Sequence, residues 1–551
     1  MLKLVTQVPS SLLLLPFIIG LSLLWPGLGN SWFSRIEAWF QALARRRILT
    51  ALLLALLPIV LRLTLLPIEG VPVPHIHDEF GHLLIADTLL HGRLANPPHP
   101  NPEFFETIYV IQRPTYSSNY PIGIGISLAI GQLLFGHPWG GVLLFVSLMC
   151  AGVYWMLLQW TTPGWALIGG LITIMSWGVL SEWASSYCGG AAAAVAGCAI
   201  IGALPRTFDK SKPIYAVVFG FGLSYSFLIR PFETLLIVPC VVVFVLLHRE
   251  TMREIRFQRT LLFISLGLAP GVLLTALHDH AVTGKYSELP YVLNRKQYGA
   301  PQTFSFQPAS VPQHPLTHEQ QAVYEWQKEA HDKVASFRGF LDVLPSRIAV
   351  VRLYLASTLW PLLFILPFCR MDRRLIWIIG SIAFMAIGGS LYGFFLPQYV
   401  APFIGFFLLL GIAAMQRLNE FEWGRLTVRL FLVITFCHFA ALFGLSMARG
   451  LAPSAARLTG RPVVVTQTPR SSALKRLTKE GGNQLVFVAY GARHSFYNEW
   501  VWNAADIDSS RIIWARDLGP ENDARLMTFY PGRSVWRADV GGGEAKLIRL
   551  R

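Results

Sequence analysis

The feature that most constrains this chain is a succession of thirteen apolar runs. They lie at 10–28, 48–67, 121–136, 139–160, 163–181, 187–205, 213–229, 232–248, 259–278, 347–368, 374–391, 397–415 and 428–448. A bilayer core of about 30 Å asks for about 20 apolar residues of helix, and most of these runs meet that length. Of the 551 residues 53% are hydrophobic and 14% charged, and the mean hydropathy is +0.48; soluble domains carry about 25% charged residues. An ordinary soluble enzyme, a disordered chain and a nucleic-acid-binding arm are thereby excluded. The expected fold class is an all-α polytopic membrane protein of about 11–13 transmembrane helices, with a small α/β domain at its C-terminus.

The formal charge of +15 comes from 46 Lys+Arg against 31 Asp+Glu. Its basic residues cluster between apolar runs, as the positive-inside rule requires of cytoplasmic loops, so membrane lipid and no nucleic acid is the expected partner. Arg45-Arg46-Arg47 precede the run 48–67, which should therefore lead outward. The connections Arg206–Lys212, His248–Arg259, Arg370–Arg374 and Arg417–Arg429 should be cytoplasmic, and the stretches 68–120, 279–346 and 450–551 extracytoplasmic. Four runs separate the outer loop 68–120 from the inner loop 206–212, so one fails to cross. The Gly-rich 121–136 is the natural choice for a half-membrane or re-entrant helix. The run 10–28 could be a signal peptide, but it reads as retained, because only Lys3 precedes it, no small-x-small cleavage site follows and the chain continues into Trp25-Pro26. Residues 31–47 alternate aromatic and basic side chains at helical spacing, which suits a helix lying in the interface. Six cysteines sit in the apolar runs without CxxC spacing. They read as small buried apolar residues, with neither a disulfide framework nor a zinc knuckle.

Three units follow: an N-terminal membrane segment and interfacial helix at 1–47, a transmembrane domain at 48–449 with outer loops 68–120 and 279–346, and an extracytoplasmic domain at 450–551. A helix is expected over 317–337. Strands are expected at Leu485–Tyr490, Ile512–Trp514 and Ser534–Trp536, and the Trp500/Trp502 alternation matches one face of a strand. Aromatics beside amides at 490–503 suit carbohydrate stacking and suit a small domain core equally well.

The first outer loop carries the densest chemistry: His75-Ile-His77-Asp78-Glu79-Phe80-Gly81-His82, an amphipathic run to Leu90, then His91-Gly92. A carboxylate just past a membrane span can serve as a proton acceptor. Asp78 could instead, or also, N-cap the following helix with Glu79 in its first turn. Spacing i, i+4 places Asp78 and His82 on one helix face. His82, with Glu106 later in the loop, is a candidate for a divalent metal, though no HExxH-type pattern occurs; the alternative is solvated loop residues. Arg230, at an outer helix end, is expensive at membrane level unless paired, so it either meets an anion or pairs with Glu233. Arg113, Arg347 and Arg352 are further cations, and Arg62 lies inside the run 48–67. Neither GxGxxG after a strand nor GxxxxGK[ST] occurs, so no soluble nucleotide pocket is evident.

An Asp-Glu pair directly after a membrane helix, a short helix ending in Leu-x-His-Gly92, and a loop closing on Tyr120-Pro-x-Gly123 resemble the GT-C superfamily of membrane glycosyltransferases. The closest likeness is to the bacterial branches of protein O-mannosyltransferase and lipid A aminoarabinose transferase type. Arg230-Pro231, Thr283-Gly284-Lys-Tyr286, Leu289-Pro290-Tyr291 and Gln398-Tyr399-x-x-Pro402 resemble later family features in order.

The resemblance implies a GT-C-like fold in a bacterial-type inner (plasma) membrane, with its active site on the extracytoplasmic side. It implies a polyprenyl-phosphate sugar donor and a lipid, glycan or protein acceptor. Transfer would be a single displacement at the sugar carbon, metal-assisted or metal-independent, with Asp78 as base and Glu79 as the second carboxylate. Arg230, Arg113 and Arg352 become donor-phosphate residues, and Tyr120, Tyr286 and Tyr399 loop or acceptor residues. Two departures stand out: Gln398-Tyr399 where the family often has Arg-Tyr, and Glu182 where some branches carry an Asp. A polytopic transporter or lipid flippase, and a non-catalytic scaffold, are the competing readings; no inverted repeat or mid-membrane charge supports the transporter.

Overall fold

In a computed structural model, described for residues 10–207, 212–248, 257–300, 304–351, 371–449, 464–541 except 493, and 544–551, the chain is mostly helical. Among these residues five helices are long and apolar enough to cross a bilayer: Arg47–Glu69, Pro138–Leu157, Gln258–Thr283, Gln398–Leu418 and Glu422–Ala448. Shorter apolar helices lie beside them at Ile122–Phe135, Gly190–Arg206, Ile214–Ile229 and Pro231–Leu247. Ile48, Leu52, Leu56 and Leu63 on the first long helix are exposed, as expected of a face turned to lipid. The helix Ile122–Phe135 has 14 residues and spans about 21 Å, less than a full crossing.

Small residues set the bundle. Lipid offers no hydrophobic drive between helices, so close backbone approach decides packing. A Cβ on Gly220 would strike Ile264 O, and one on Gly267 would strike Val217 O. The helices Ile214–Ile229 and Phe257–Thr283 cross at this seam. Gly131 and Gly141 make the corresponding crossing between Ile122–Phe135 and Pro138–Leu157. The Ala-rich helix Gly190–Ala203 lies buried at the centre. Its Gly197 admits the Pro402 carbonyl, which fixes the 3-10 stretch Pro397–Phe403 and with it Tyr399.

Several expectations need correction. The run 163–181 is helical to Gly178: the helix Pro163–Thr173 passes into a π turn at Ile174–Gly178, and a short helix follows at Glu182–Ser185. The run 259–278 continues as helix to Thr283, so the long loop begins later than the hydropathy edge. A helix at Phe337–Val350 precedes the run 347–368, of which 352–368 lies outside the described residues. Cys437 is exposed, unlike Cys150, Cys188, Cys198 and Cys240; it sits on a helix whose membrane window is only 11% buried. Cys369 lies outside the described residues.

The C-terminal part forms a mixed four-stranded sheet. With β1 (Val110–Ile111) and β2 (Ser117–Ser118) forming a small hairpin in the first outer loop, the later strands are β3 (Gln484–Tyr490), β4 (Ile512–Arg516), β5 (Ser534–Gly541) and β6 (Glu544–Arg549). Their order is β4-β3-β5-β6, with β3 parallel to β4 and β5, and β6 antiparallel to β5. Trp500 and Trp502 belong to no strand; both are buried in irregular chain, because Tyr490, Glu499 and Arg470 take up the hydrogen bonds of that segment.

Both faces of the sheet are covered. Val486, Val488, Trp514 and Trp536 pack with Ala473 and Leu477 of the helix Pro469–Glu480. Leu485, Phe487, Ile513 and Val535 share one core with Leu84, Phe104, Phe105, Val110 and Tyr116 of the first outer loop. The sheet and that loop are therefore one packing unit.

Candidate functional site

The helix His77–Leu90 begins at an extended Ile76, so Asp78 and Glu79 fall in its first turn and neither is the N-cap. Glu79 is spent on structure. Its carboxylate accepts from His75 N at 2.9 Å and Ile76 N at 3.3 Å, closing the helix start. It also accepts from Tyr187 N at 3.0 Å, which ties in the chain beyond the π turn. Its side chain is 1% exposed. His75 Nδ1 lies 3.1 Å from the same carboxylate. Burial works against the charged imidazole, but Glu79 outweighs it and leaves the His75 pKa raised.

Asp78 is the carboxylate left available. Its side chain is 21% exposed, with Oδ1 3.6 Å from His77 Nε2, and it accepts a hydrogen bond from the Tyr120 hydroxyl. Tyr120 is held in turn by ring contacts: His82 at 4.4 Å, Tyr291 at 5.6 Å and Tyr109 at 5.8 Å between centroids. Burial lowers His82 to about 3, so it stays neutral at working pH. Tyr109 adopts φ 60, a left-handed backbone that a bulky residue takes only when its surroundings dictate it. Here Gln327, from the helix His318–Val334, bonds its hydroxyl, and His77 packs edge-on at 4.8 Å.

Arg230 closes the same site. It separates the helices Ile214–Ile229 and Pro231–Leu247. Its guanidinium sits over the Tyr399 ring at 4.8 Å, and its Nε is buried without a hydrogen-bond partner. Glu233, Asp78, Tyr291 and Tyr399 all act on it electrostatically, yet Arg230 makes no ion pair among the described residues. Tyr392 and Tyr399 are 6.4 Å apart, and the loop carrying Tyr392 is clamped by Arg347, which bonds Ser390 O, Tyr392 O and Gly393 O. Arg347 thus supports the loop.

The site gathers Asp78, His82, Tyr120, Arg230 and Tyr399 from the residues singled out in the sequence. It leaves others apart. Arg113 is exposed and engages Gln297 through its carbonyl. Tyr286 is 62% exposed and stacks on His280. Arg352 lies outside the described residues. Arg62 pairs with Glu69 inside the bundle. Glu182 lies within electrostatic range of Asp78, Glu79 and His75; burial, then Glu79, raises its pKa. Glu106 is occupied by Gln320 and Tyr298, and burial raises its pKa. Among the described residues no three His, Cys, Asp or Glu side chains come together as ligands.

Tyr109, Gln327, Tyr392 and Tyr497 were not legible as site residues. The one local signal was the density of tyrosines at loop ends, which fixes no partner. The C-terminal domain reaches the site through a turn, with Tyr497 stacked on His77 at 6.2 Å and 20°. It is anchored by Arg516, which bonds Glu319, Glu499 and the Glu106 carbonyl. It is anchored also by Ala505 N, which donates to Asp87 at 2.6 Å, and by Phe80 stacked on Trp502 at 5.0 Å.

No protein-family model matches the sequence, and no curated protein matches it. Among solved structures the chain is similar to ArnT from Cupriavidus metallidurans in the apo state. The two are 13% identical, over 88% of this chain and 92% of that one, with a TM-score of 0.47. It is also similar to the archaeal oligosaccharyltransferase AglB from Archaeoglobus fulgidus, solved with an inhibitory peptide and a dolichol-phosphate. There the identity is 10%, over 91% of this chain and 70% of that one, with a TM-score of 0.42.

Proposed function

We propose that this chain is an integral-membrane glycosyltransferase of GT-C type, moving a sugar from a polyprenyl-phosphate donor to a hydroxyl acceptor. One observation carries the reading: an available carboxylate, Asp78, and a cation with an unpartnered buried nitrogen, Arg230, meet in one tyrosine-lined site at the end of a membrane bundle. Asp78 takes the proton of the acceptor hydroxyl as its oxygen bonds the anomeric carbon. The bond from that carbon to the phosphate oxygen breaks in the same displacement, with inversion. The electron pair leaves on the polyprenyl phosphate, whose growing charge Arg230 stabilises in a site of low water content. Tyr120 holds Asp78, and Glu79 closes the start of the helix that carries Asp78.

The test is incubation of the purified chain with a panel of polyprenyl-phosphate sugars, reading released polyprenyl phosphate by mass spectrometry. At least one donor should give release that is lost in Arg230→Met and in Asp78→Asn. Release at the wild-type rate in Asp78→Asn rejects the assignment. Counterflow of a substrate in vesicles without covalent product would point to transport instead.

A further inference from the structure

The C-terminal sheet ends in an open edge. β6 is the last strand in the order β4-β3-β5-β6, and among the described residues no strand pairs with its outer side. The register fixes which backbone groups that edge offers. Leu550 N donates to Val535 O at 2.8 Å, and β6 runs antiparallel to β5 with Ile548 opposite Arg537 and Lys546 opposite Asp539. Antiparallel pairs alternate between bonded and non-bonded. Ile548 and Lys546 therefore bond β5, while the N–H and C=O groups of Ala545, Leu547 and Arg549 turn outward. Val540, opposite Ala545, fits the same alternation, since its carbonyl accepts from Gly491 N on the other side of β5 at 2.8 Å. Ala545 and Leu547 also line a groove of about 570 Å³. Its other wall is one face of the helix Pro469–Glu480, made by Pro469, Ser472, Ala473 and Arg476 at helical spacing.

We propose that this groove docks an extended acidic segment of another polypeptide, which adds to β6 as a further strand and seats carboxylates on Arg476 and Arg549. The surface holds a partner chain and is separate from the Asp78–Arg230 site.

Charge selects the occupant. Arg476 from the helix and Arg549 from the edge strand place their guanidiniums over the Trp536 ring, at 5.9 and 5.8 Å. Neither has an acidic partner among the described residues. Trp536 itself is 3% exposed, and its Nε1 has no hydrogen-bond acceptor. The helix adds Arg470, Lys475 and Lys479 against Glu480 alone. A second copy of this chain would bring the same basic strand, with Lys546, Arg549 and Arg551, to a basic rim, the arrangement by which edge strands guard against self-pairing. An acidic segment turns that guard into attraction. The outward row of N–H and C=O groups asks for a peptide backbone, which a lipid headgroup lacks; backbone pairing gives affinity and the groove wall gives selectivity. The helix covers the sheet face opposite the one packed on the first outer loop, so the docked strand is a partner and not the acceptor of the sugar.

Fluorescence anisotropy on the full chain in uncharged detergent tests this. The probe is a short labelled peptide of alternating valine and glutamate, which has no hydroxyl side chain to receive a sugar. Saturable binding is expected. It should weaken about tenfold in Arg476→Glu, which replaces a charge-assisted contact by repulsion. It should be lost when lysine replaces each glutamate, and when alternate amides are N-methylated, which keeps the charge and removes the donors of one edge. Ala545→Pro deletes one outward N–H and leaves the bonds to β5 in place, so it should weaken binding as well. Arg476 is exposed, so its variant keeps the core, and melting confirms folding for both. No saturable binding to the wild type, equal binding of the N-methylated peptide, or wild-type affinity in folded Arg476→Glu overturns the docking edge. Phosphatidylglycerol vesicles are the second probe: binding to them that depends on Arg476, with none of the peptide, assigns the groove to lipid and rejects the proposal. Each of these results is independent of polyprenyl phosphate release, so the two readings stand or fall separately.

Discussion

Replacing Tyr120 by Phe removes one atom from the site. The ring contacts to His82, Tyr291 and Tyr109 survive, and only the hydrogen bond to Asp78 disappears. A hydrogen bond to an ionised group is worth about 1.5–3 kcal/mol. The Asp78 side chain is 21% exposed, so water recovers part of that loss and the lower figure applies. About 1.5 kcal/mol is roughly a tenfold fall in kcat/KM. Asp78→Asn removes the proposed base and should cost about 10²–10⁴-fold. The assay is initial-rate release of polyprenyl phosphate from an accepted donor, by purified protein of verified fold. A Tyr120→Phe enzyme at full rate, or one as impaired as Asp78→Asn, would show that the hydroxyl does not act by holding the carboxylate.

Arg516→Met leaves Glu319 and Glu499 buried at 3% and 1% exposure without their cation, which should destabilise docking of the C-terminal domain by about 3–5 kcal/mol; melting and protease release read it. Burial alone would raise Glu319, but Arg516 outweighs it and holds its pKa below the ordinary value. The stabilisation is therefore present above the ordinary carboxylate value of about 4.3 and fades as pH falls below it, and the variant should lack this acid dependence. His75 has a raised pKa, so its stabilising interaction with Glu79 is complete below about pH 6.5 and disappears as pH rises through the raised value. Melting followed across that range should flatten in His75→Asn, and an unchanged slope would remove His75 from the account. Gly267→Leu should reduce folded protein in the membrane several-fold, because the new Cβ meets the Val217 carbonyl and Phe221 N. Gly380→Ala, with open space around it, should be neutral, and equal yields of the two would refute the seam.

Much of the architecture was readable because apolar helices announce themselves. The helix His77–Leu90, the strands at 484–490, 512–516 and 534–541, and the helix His318–Val334 fall close to their expected places. The π turn at Ile174–Gly178 was hidden because hydropathy does not distinguish α from π turns. Trp500 and Trp502 imitated a strand because alternation in a two-tryptophan stretch is too short to fix a period. The pair Asp78-Glu79 was conspicuous, yet nothing local separated their tasks. The split follows from Tyr187 N reaching Glu79 across 108 positions, and Tyr120 reaching Asp78 across 42.

From the amino-acid order alone came the membrane helices, since a dehydrated backbone must satisfy its hydrogen bonds within each segment. From it also came the position of the first acidic pair. The tertiary structure decided which carboxylate stays available, which arginine comes within electrostatic reach of it, and which aromatic rings face the centre. Those are interactions between parts of the chain as distant as Asp87 and Ala505, 418 positions apart. They depend on how close glycine seams let the helices come and on how a sheet at the far end of the chain shares its core with the first loop, and no local pattern encodes either.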